Sequence, residues 1–512
     1  MRSHPPLNFA RSTPTTSSGL FHNHSVRRDR VRSIKINIDK TIDSAQRMTT
    51  TAVNPYLDDN FAPVREEIAP TNLKVIGELP PDLSGMFVRN GPNPQFPPIG
   101  NYHWFDGDGM LHGVRINNGK AQYRNRYIRT RGFNIEREAG KAIWTGLMEP
   151  SRGKNPYNFP KNTANTALVW HDGRLLALWE GGEPHTIKVP SLETSGAYSY
   201  DGKLVSAFTA HPKVDAETGE MMFFGYSFAP PYLKYSVVSA KGELLRTVPI
   251  DLPMGVMMHD FAITEHYTIF MDLPLTFSMV RMQQGKPALM FERDRPSRFG
   301  IVPRHGDNSN IRWFESPPCY VFHTLNAYEE GDEVVLVACR MSSTSVLTTD
   351  MTPGENEGDA GRLYQWRFNL STGTVKEEML DDAPSDFPRL NEQRMGRPMR
   401  YGYTAKMANN PMPLFEGVIK YDFKNGKSET HEFGRGRYGG EAVFVPRPDA
   451  TAEDNGWLMT FVHDDEADTS ELVVVNAQDV TSEPVARVLI PQRVPYGFHG
   501  AWVSEEQLSA SV

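Results

Sequence analysis

An all-β fold closed into a propeller is the class this sequence predicts, and three observations carry it. From Leu73 onward the chain reads as short alternating or apolar strands separated by turn residues. These segments recur to near the C-terminus without alternating long amphipathic helices, which excludes a parallel α/β fold and makes one sandwich too small. Histidines stand in four similar apolar contexts scattered along the chain: FTAHPK at His211, VMMHDF at His259, YVFHTL at His323 and YGFHGAW at His499. A propeller is the natural container for such a set, because its innermost strands can each present one side chain to a common axis.

Taken in chain order, residues 1–53 are a leader. They are rich in Ser, Thr, Arg and His, show no acidic residue before Asp29 and lack the compact apolar run of a secretory signal. This composition predicts an organelle transit segment, with a plastid as the expected destination. The alternative is a disordered tail, or a chain that starts at Met48, in the cytoplasm. Residues 54–512 are expected to form one domain, since no Gly/Ser-rich or charge-run linker interrupts them.

Within that domain MFVRNGPNP, MLHGVRINNGKAQYRNRYIRT, ALVWHDGRLLALW, GEMMFFGYSF and EVVLVACRM read as strands or hairpins. NNG at Asn117, HDG at His171, YDG at Tyr200 and TGE at Thr218 are expected as their turns. Segments 131–165 and 340–360 lack alternation and are expected to form loops or short helices over one face. No clean repeat of the length of a regular blade is visible, so irregular blades with long insertions are implied.

Composition narrows the function. A hydrophobic content of 39% supports a large core, and a net charge of −8 with both signs interspersed offers no basic stripe for nucleic acid. Cys319 and Cys339 form no CxxC pair, which argues against thiolate metal ligation and against a disulfide framework. No apolar stretch approaches the ~18 residues needed to span a bilayer. The histidine intervals are 48 (259 − 211), 64 (323 − 259) and 176 (499 − 323) residues, far beyond any local metal-binding motif. GMLHGV at His112 and TFVHDD at His463 share the same context. Spacing therefore leaves six candidates, and for each the competing reading is a hydrogen-bonded core histidine.

FVRNGPNP (Phe87 to Pro94), YHWFDGDGMLHG (Tyr102 to Gly113), ANTALVWHDGRLLALWE, FTAHPKVD, VMMHDFAIT, FMDLPL, FPRLNE, EAVFVPR and VPYGFHGAW together resemble the carotenoid cleavage dioxygenases, over roughly residues 54 to 505. Plant and cyanobacterial enzymes that cleave carotenoids and apocarotenoids look nearest. The resemblance implies a seven-bladed β-propeller with a loop and helix dome over one face, and ferrous iron on the axis. Its ligands would be His211, His259, His323 and His499, with Glu180, Glu392 and Glu441 orienting three of the rings. Trp179 and Phe322, each beside a residue of that centre, are expected to line the substrate tunnel; ordinary core packing is the competing reading.

Four neutral imidazoles suit Fe(II), zinc or copper, and the choice of iron rests on the resemblance. The implied reaction is insertion of dioxygen across one C=C bond of a carotenoid or apocarotenoid, giving aldehyde or ketone products. Because such a substrate lies in membranes, a peripheral apolar patch is expected, with FAPPYL from Phe228 and LPLTFSMV from Leu273 as possible parts. A stilbene-cleaving dioxygenase of the same family is one alternative. Those enzymes carry a lysine where this chain has Trp179, which favours a polyene. A non-catalytic propeller serving as a binding platform is the other alternative, and it would need neither the histidines nor the glutamates.

Overall fold

The computed structural model describes residues 10–11, 54–146, 157, 159–284, 286–344 and 360–511. The proposed leader, apart from residues 10–11, lies outside the described residues, as do 147–156 and 345–359 of the two segments read as loops.

Seven sheets, antiparallel apart from the edge pair of Ala10–Arg11 with Lys427 and Ser428, form the ring of a seven-bladed β-propeller, the architecture the family resemblance implies. Blade 1 pairs Gly85–Pro92, Gly109–Asn117 and Lys120–Tyr127 with the C-terminal strand Gly500–Ser504. That pairing joins the two ends of the propeller. It is tight: a Cβ on Gly85 would lie 2.3 Å from the Trp502 ring, so the seam needs glycine there. Blade 2 spans Ala167–Ala197, blade 3 Lys213–Ile250, blade 4 Ala262–Ser316 and blade 5 Tyr320–Met379. Blade 6 runs from Ser385 to Glu432, with Ala10–Arg11 along its outer edge. Blade 7 runs from Val443 to Ile490 and takes Val75–Gly77 as its outer strand.

The hydrophobic residues do not make one central mass. They form a layer between each pair of adjacent blades: Trp366 and Phe299 pack between blades 4 and 5, and Trp457 and Phe87 across the closure between 7 and 1. Five further layers fill the remaining gaps. This explains why central strands such as Glu333–Met341 are apolar on both faces instead of alternating. A separate aromatic cluster of Tyr56, Phe61, Trp104, Phe387 and Phe498 sits over the ring.

Turn chemistry follows the sequence at most hairpins. Asn118 and Gly119, and Asp172 and Gly173, take the left-handed conformations of two-residue hairpin turns. YDG differs from expectation. Tyr200, Asp201 and Gly202 also have positive φ, but they lie between blades 2 and 3, where no strand pair flanks them. Local turn propensity does not distinguish a hairpin from an interblade corner. In segment 131–165, Arg131–Ala139 is a helix capped by the Thr130 hydroxyl and ended by left-handed Gly140. Lys161 anchors it through Glu136 at 2.7 Å, and also meets Asp108 at 2.6 Å. Among the described residues no helix is long and apolar enough to cross a membrane.

Candidate metal centre

Four imidazoles converge on the axis, each delivered by the innermost strand of a different blade. His211 precedes Lys213–Val214 of blade 3, and His259 precedes Ala262–Ile263 of blade 4. His323 lies within Tyr320–Glu330 of blade 5, and His499 precedes Gly500–Ser504 of blade 1. Their potential ligand atoms all lie within 4.8 Å of one another. The ladder shifts register between Val321 and Thr324 and again between Thr324 and Asn326. Such a bulge re-aims the side chains around it, and His323 sits inside it.

The other three blades supply carboxylates. Glu180 of blade 2 meets His259 Nδ1 at 2.6 Å, Asp386 of blade 6 meets His323 Nδ1 at 2.9 Å, and Glu441 of blade 7 meets His499 Nδ1 at 2.9 Å. All seven blades thus contribute to one centre. A carboxylate on Nδ1 holds the proton there and turns the Nε2 lone pair inward, the arrangement of a metal-bound imidazole. No carboxylate among the described residues hydrogen-bonds His211, whose Nε2 lies 2.9 Å from His259 Nε2.

Electrostatics favour the neutral form at two of the four rings, His211 and His499. Burial, with the neighbouring histidines, pushes His211 well below the usual imidazole range. Burial also brings His499 down to about 4, although Glu441 opposes it. At His259 burial acts downward, but the charge and hydrogen bond of Glu180 prevail and raise the ring. Burial would raise Glu441, yet Arg389 and His499 outweigh it and hold this carboxyl at about 2.

These residues fit a divalent cation. His323 Nε2 is buried and has no hydrogen-bond partner among the described residues, a costly state unless something electron-poor occupies the centre. The all-nitrogen donor set suits ferrous iron among other transition metals.

One expected residue is displaced. Glu392 lies on the turn Glu392–Arg394 after the first strand of blade 6, with its side chain 69% exposed, and it pairs with Arg389. Asp386 takes the role expected of it. The reason is position: Asp386 follows the first residue of the axis-side strand Ser385–Arg389, whereas Glu392 lies beyond that strand's outer end. The signal was present in SDFPR, where an acid sits between residues that the fold buries, as Glu441 does before Val443. Glu183, a competitor for Glu180's place, is exposed. His112 and His463 lie elsewhere, on Tyr123 Oη at 2.7 Å and Ser470 Oγ at 3.1 Å.

A cavity of about 470 Å³ opens beside the imidazoles, and His259, His323 and His499 are part of its wall. Trp179 and Phe322 line it, together with Trp104, Phe105, Phe387, Phe415 and Phe498. The Phe322 ring meets His259 edge-on at 5.4 Å. Sequence reasoning missed Tyr226, which lines the cavity and donates to Glu180 at 2.7 Å. The FFGYSF strand gave no hint of its partner.

A propeller with a buried histidine centre at the end of an aromatic cavity defines a metal-dependent enzyme class, and known proteins match it over nearly the whole domain. The sequence model described as retinal pigment epithelial membrane protein matches residues 61–504. A carotenoid 9,10(9',10')-cleavage dioxygenase of Crocus sativus is 44% identical, over 88% of this chain and 90% of its own length. Among solved structures, lignostilbene dioxygenase of Pseudomonas brassicacearum superposes with a TM-score of 0.81 at 32% identity, covering 88% of this chain and 98% of that one. Cobalt-substituted apocarotenoid oxygenase of Synechocystis superposes with a TM-score of 0.79 at 30% identity, covering 86% and 97%. The chain belongs to the retinal pigment epithelial membrane protein family, the carotenoid oxygenases. It is a dioxygenase.

Proposed function

We propose that this enzyme binds ferrous iron through His211, His259, His323 and His499 and cleaves one C=C bond of a carotenoid or apocarotenoid with O2, giving two aldehyde or ketone products. The observation that carries the reading is the juxtaposition of four inward-facing imidazoles with an aromatic-walled cavity. Bound iron would supply the redox activation of dioxygen. The protein's own contribution is positioning. A polyene offers only length and π-surface, and Trp179, Phe322 and Phe387 present flat apolar faces that hold one double bond beside the histidines while excluding water. Glu180, Asp386 and Glu441 keep three Nδ1 protons in place, so that the Nε2 lone pairs stay directed at the centre.

Access from a membrane is part of the same reading. Phe228 is 44% exposed, lines the cavity, and stacks on Phe277 at 3.9 Å. Beside Phe277, Met279, Val280 and Met282 of the helix Met279–Gln283 stand exposed, as does Met290 on the strand paired with it. Leu273 and Leu275, from the segment expected to contribute, are instead buried.

Stilbene cleavage is a second reading, favoured by the likeness to lignostilbene dioxygenase. The test is to incubate the iron-loaded protein with a full-length carotenoid, an apocarotenal and resveratrol under 18O2, and to identify products by mass. Two carbonyl products from a polyene, each carrying one labelled oxygen, are expected. Cleavage of resveratrol alone would replace this reading with the second.

A further inference from the structure

One buried carboxylate next to the centre does not touch any imidazole. Asp260 follows His259 in the chain and is almost fully buried. Its Oδ1 accepts from the Phe261 N–H at 2.7 Å and meets Lys213 Nζ at 2.7 Å. Its Oδ2 accepts from the Thr324 N–H at 2.8 Å and from Thr324 Oγ1 at 2.9 Å. Lys213 is two residues from His211, and Thr324 is next to His323. The three ligand-bearing strands of blades 3, 4 and 5 therefore meet on this one side chain. The bulge in blade 5 is tied in the same way, since Thr324 is the residue at which the ladder changes register on both sides.

We propose that Asp260 is a positioning residue that sets the separation of three of the four imidazoles, His211, His259 and His323, before any metal binds. Blades 3, 4 and 5 share other polar contacts, such as Tyr235 Oη with Thr268 Oγ1 at 2.9 Å and Thr264 Oγ1 with Glu329 at 2.6 Å, but neither lies within two residues of a histidine of the centre, and the apolar layers resist sliding weakly because dispersion contacts are non-directional. A charge-assisted bond to Lys213 and a two-point bond to Thr324 are directional and dry, so they fix distance and rotation between strands. His499 reaches the centre from blade 1 and is held separately, by Glu441. Preorganisation of this kind removes a cost of metal binding, because the strands need no rearrangement to bring the ligands into range.

The inference rests on the four-histidine reading of the site, and the test separates the two. Apoproteins of the wild type, H259A, D260A and the double variant K213M/D260N are titrated with Co(II). Calorimetry gives affinity, visible absorption reports the coordination geometry, and thermal unfolding of each apoprotein is recorded alongside. D260A is expected to lose about tenfold or more in affinity, the scale seen when groups supporting metal ligands are removed, with an altered Co(II) spectrum at temperatures where it remains folded. K213M/D260N, which leaves no unpaired buried cation and keeps an acceptor for Thr324, is expected to lie between D260A and wild type. It decides the matter if D260A does not fold. A lowered melting temperature with wild-type affinity and spectrum in the folded variants would overturn the proposal. Equal Co(II) binding by wild type and H259A would overturn the four-histidine site itself.

Discussion

His323 shows most directly how one residue's surroundings reveal its use. Its Nδ1 is tied to Asp386, and its Nε2 is buried with no partner among the described residues. His463, by contrast, bonds Ser470 Oγ through Nδ1 at 3.1 Å and has Asp465 and Asp468 oxygens 3.7 Å from its Nε2. Asp386→Asn is therefore expected to lower metal affinity by about 10- to 100-fold, measured by titration of the apoprotein. Glu392→Gln, at an exposed surface pair, is expected to leave it unchanged. Equal losses from the two substitutions would return the supporting role to Glu392. The choice between the two acids of SDFPRLNE rests on which one falls on the axis side of the strand, and the residues flanking Asp386, which the fold buries, were its one local sign.

At the scale of elements, the functional histidines come with the innermost strands of blades 1, 3, 4 and 5, while Glu180 follows the second strand, Arg174–Leu178, of blade 2. The histidines share one sequence context because each lies in or just before such an innermost strand, after a run of mostly apolar buried residues. The short helix Met279–Gln283 shows a different logic. Its Met279, Val280 and Met282 side chains are exposed although the blade beneath is well packed. Replacing all three by Ser is expected to weaken liposome association at least about tenfold, since burying even part of such side chains is worth more than the ~1.4 kcal/mol this factor requires. Metal content should not change. Unaltered liposome binding in a flotation assay would remove this helix from the membrane reading. FAPPYL and LPLTFSMV were visible as apolar segments in the sequence, but only packing divided the buried Leu273 and Leu275 from the exposed Met279 and Val280.

At the scale of the whole molecule, a metal bound by the four histidines would act as a cross-brace. Blades 1, 3, 4 and 5 supply the imidazoles, while seven interblade layers hold the ring together independently. Removing the metal should therefore lower the melting temperature without unfolding the propeller. At metal a hundredfold above its dissociation constant the bound form gains about 2.7 kcal/mol, so chelation is expected to shift calorimetric melting downward while far-UV circular dichroism stays constant. Loss of β-structure on chelation would show that the metal, and not the layers, closes the ring.

The sequence by itself determined the all-β class, the strand character on both faces, most hairpin turns and the four histidine contexts, because strand patterning and turn chemistry are local. Motif resemblance then selected His211, His259, His323 and His499 from six. Only the tertiary structure decided that Asp386 and not Glu392 supports His323, that Tyr226 bears on Glu180, and that Asp260 gathers three blades. Each of those pairings joins residues at least 46 positions apart, and what creates it is closure of the ring, which no local pattern encodes.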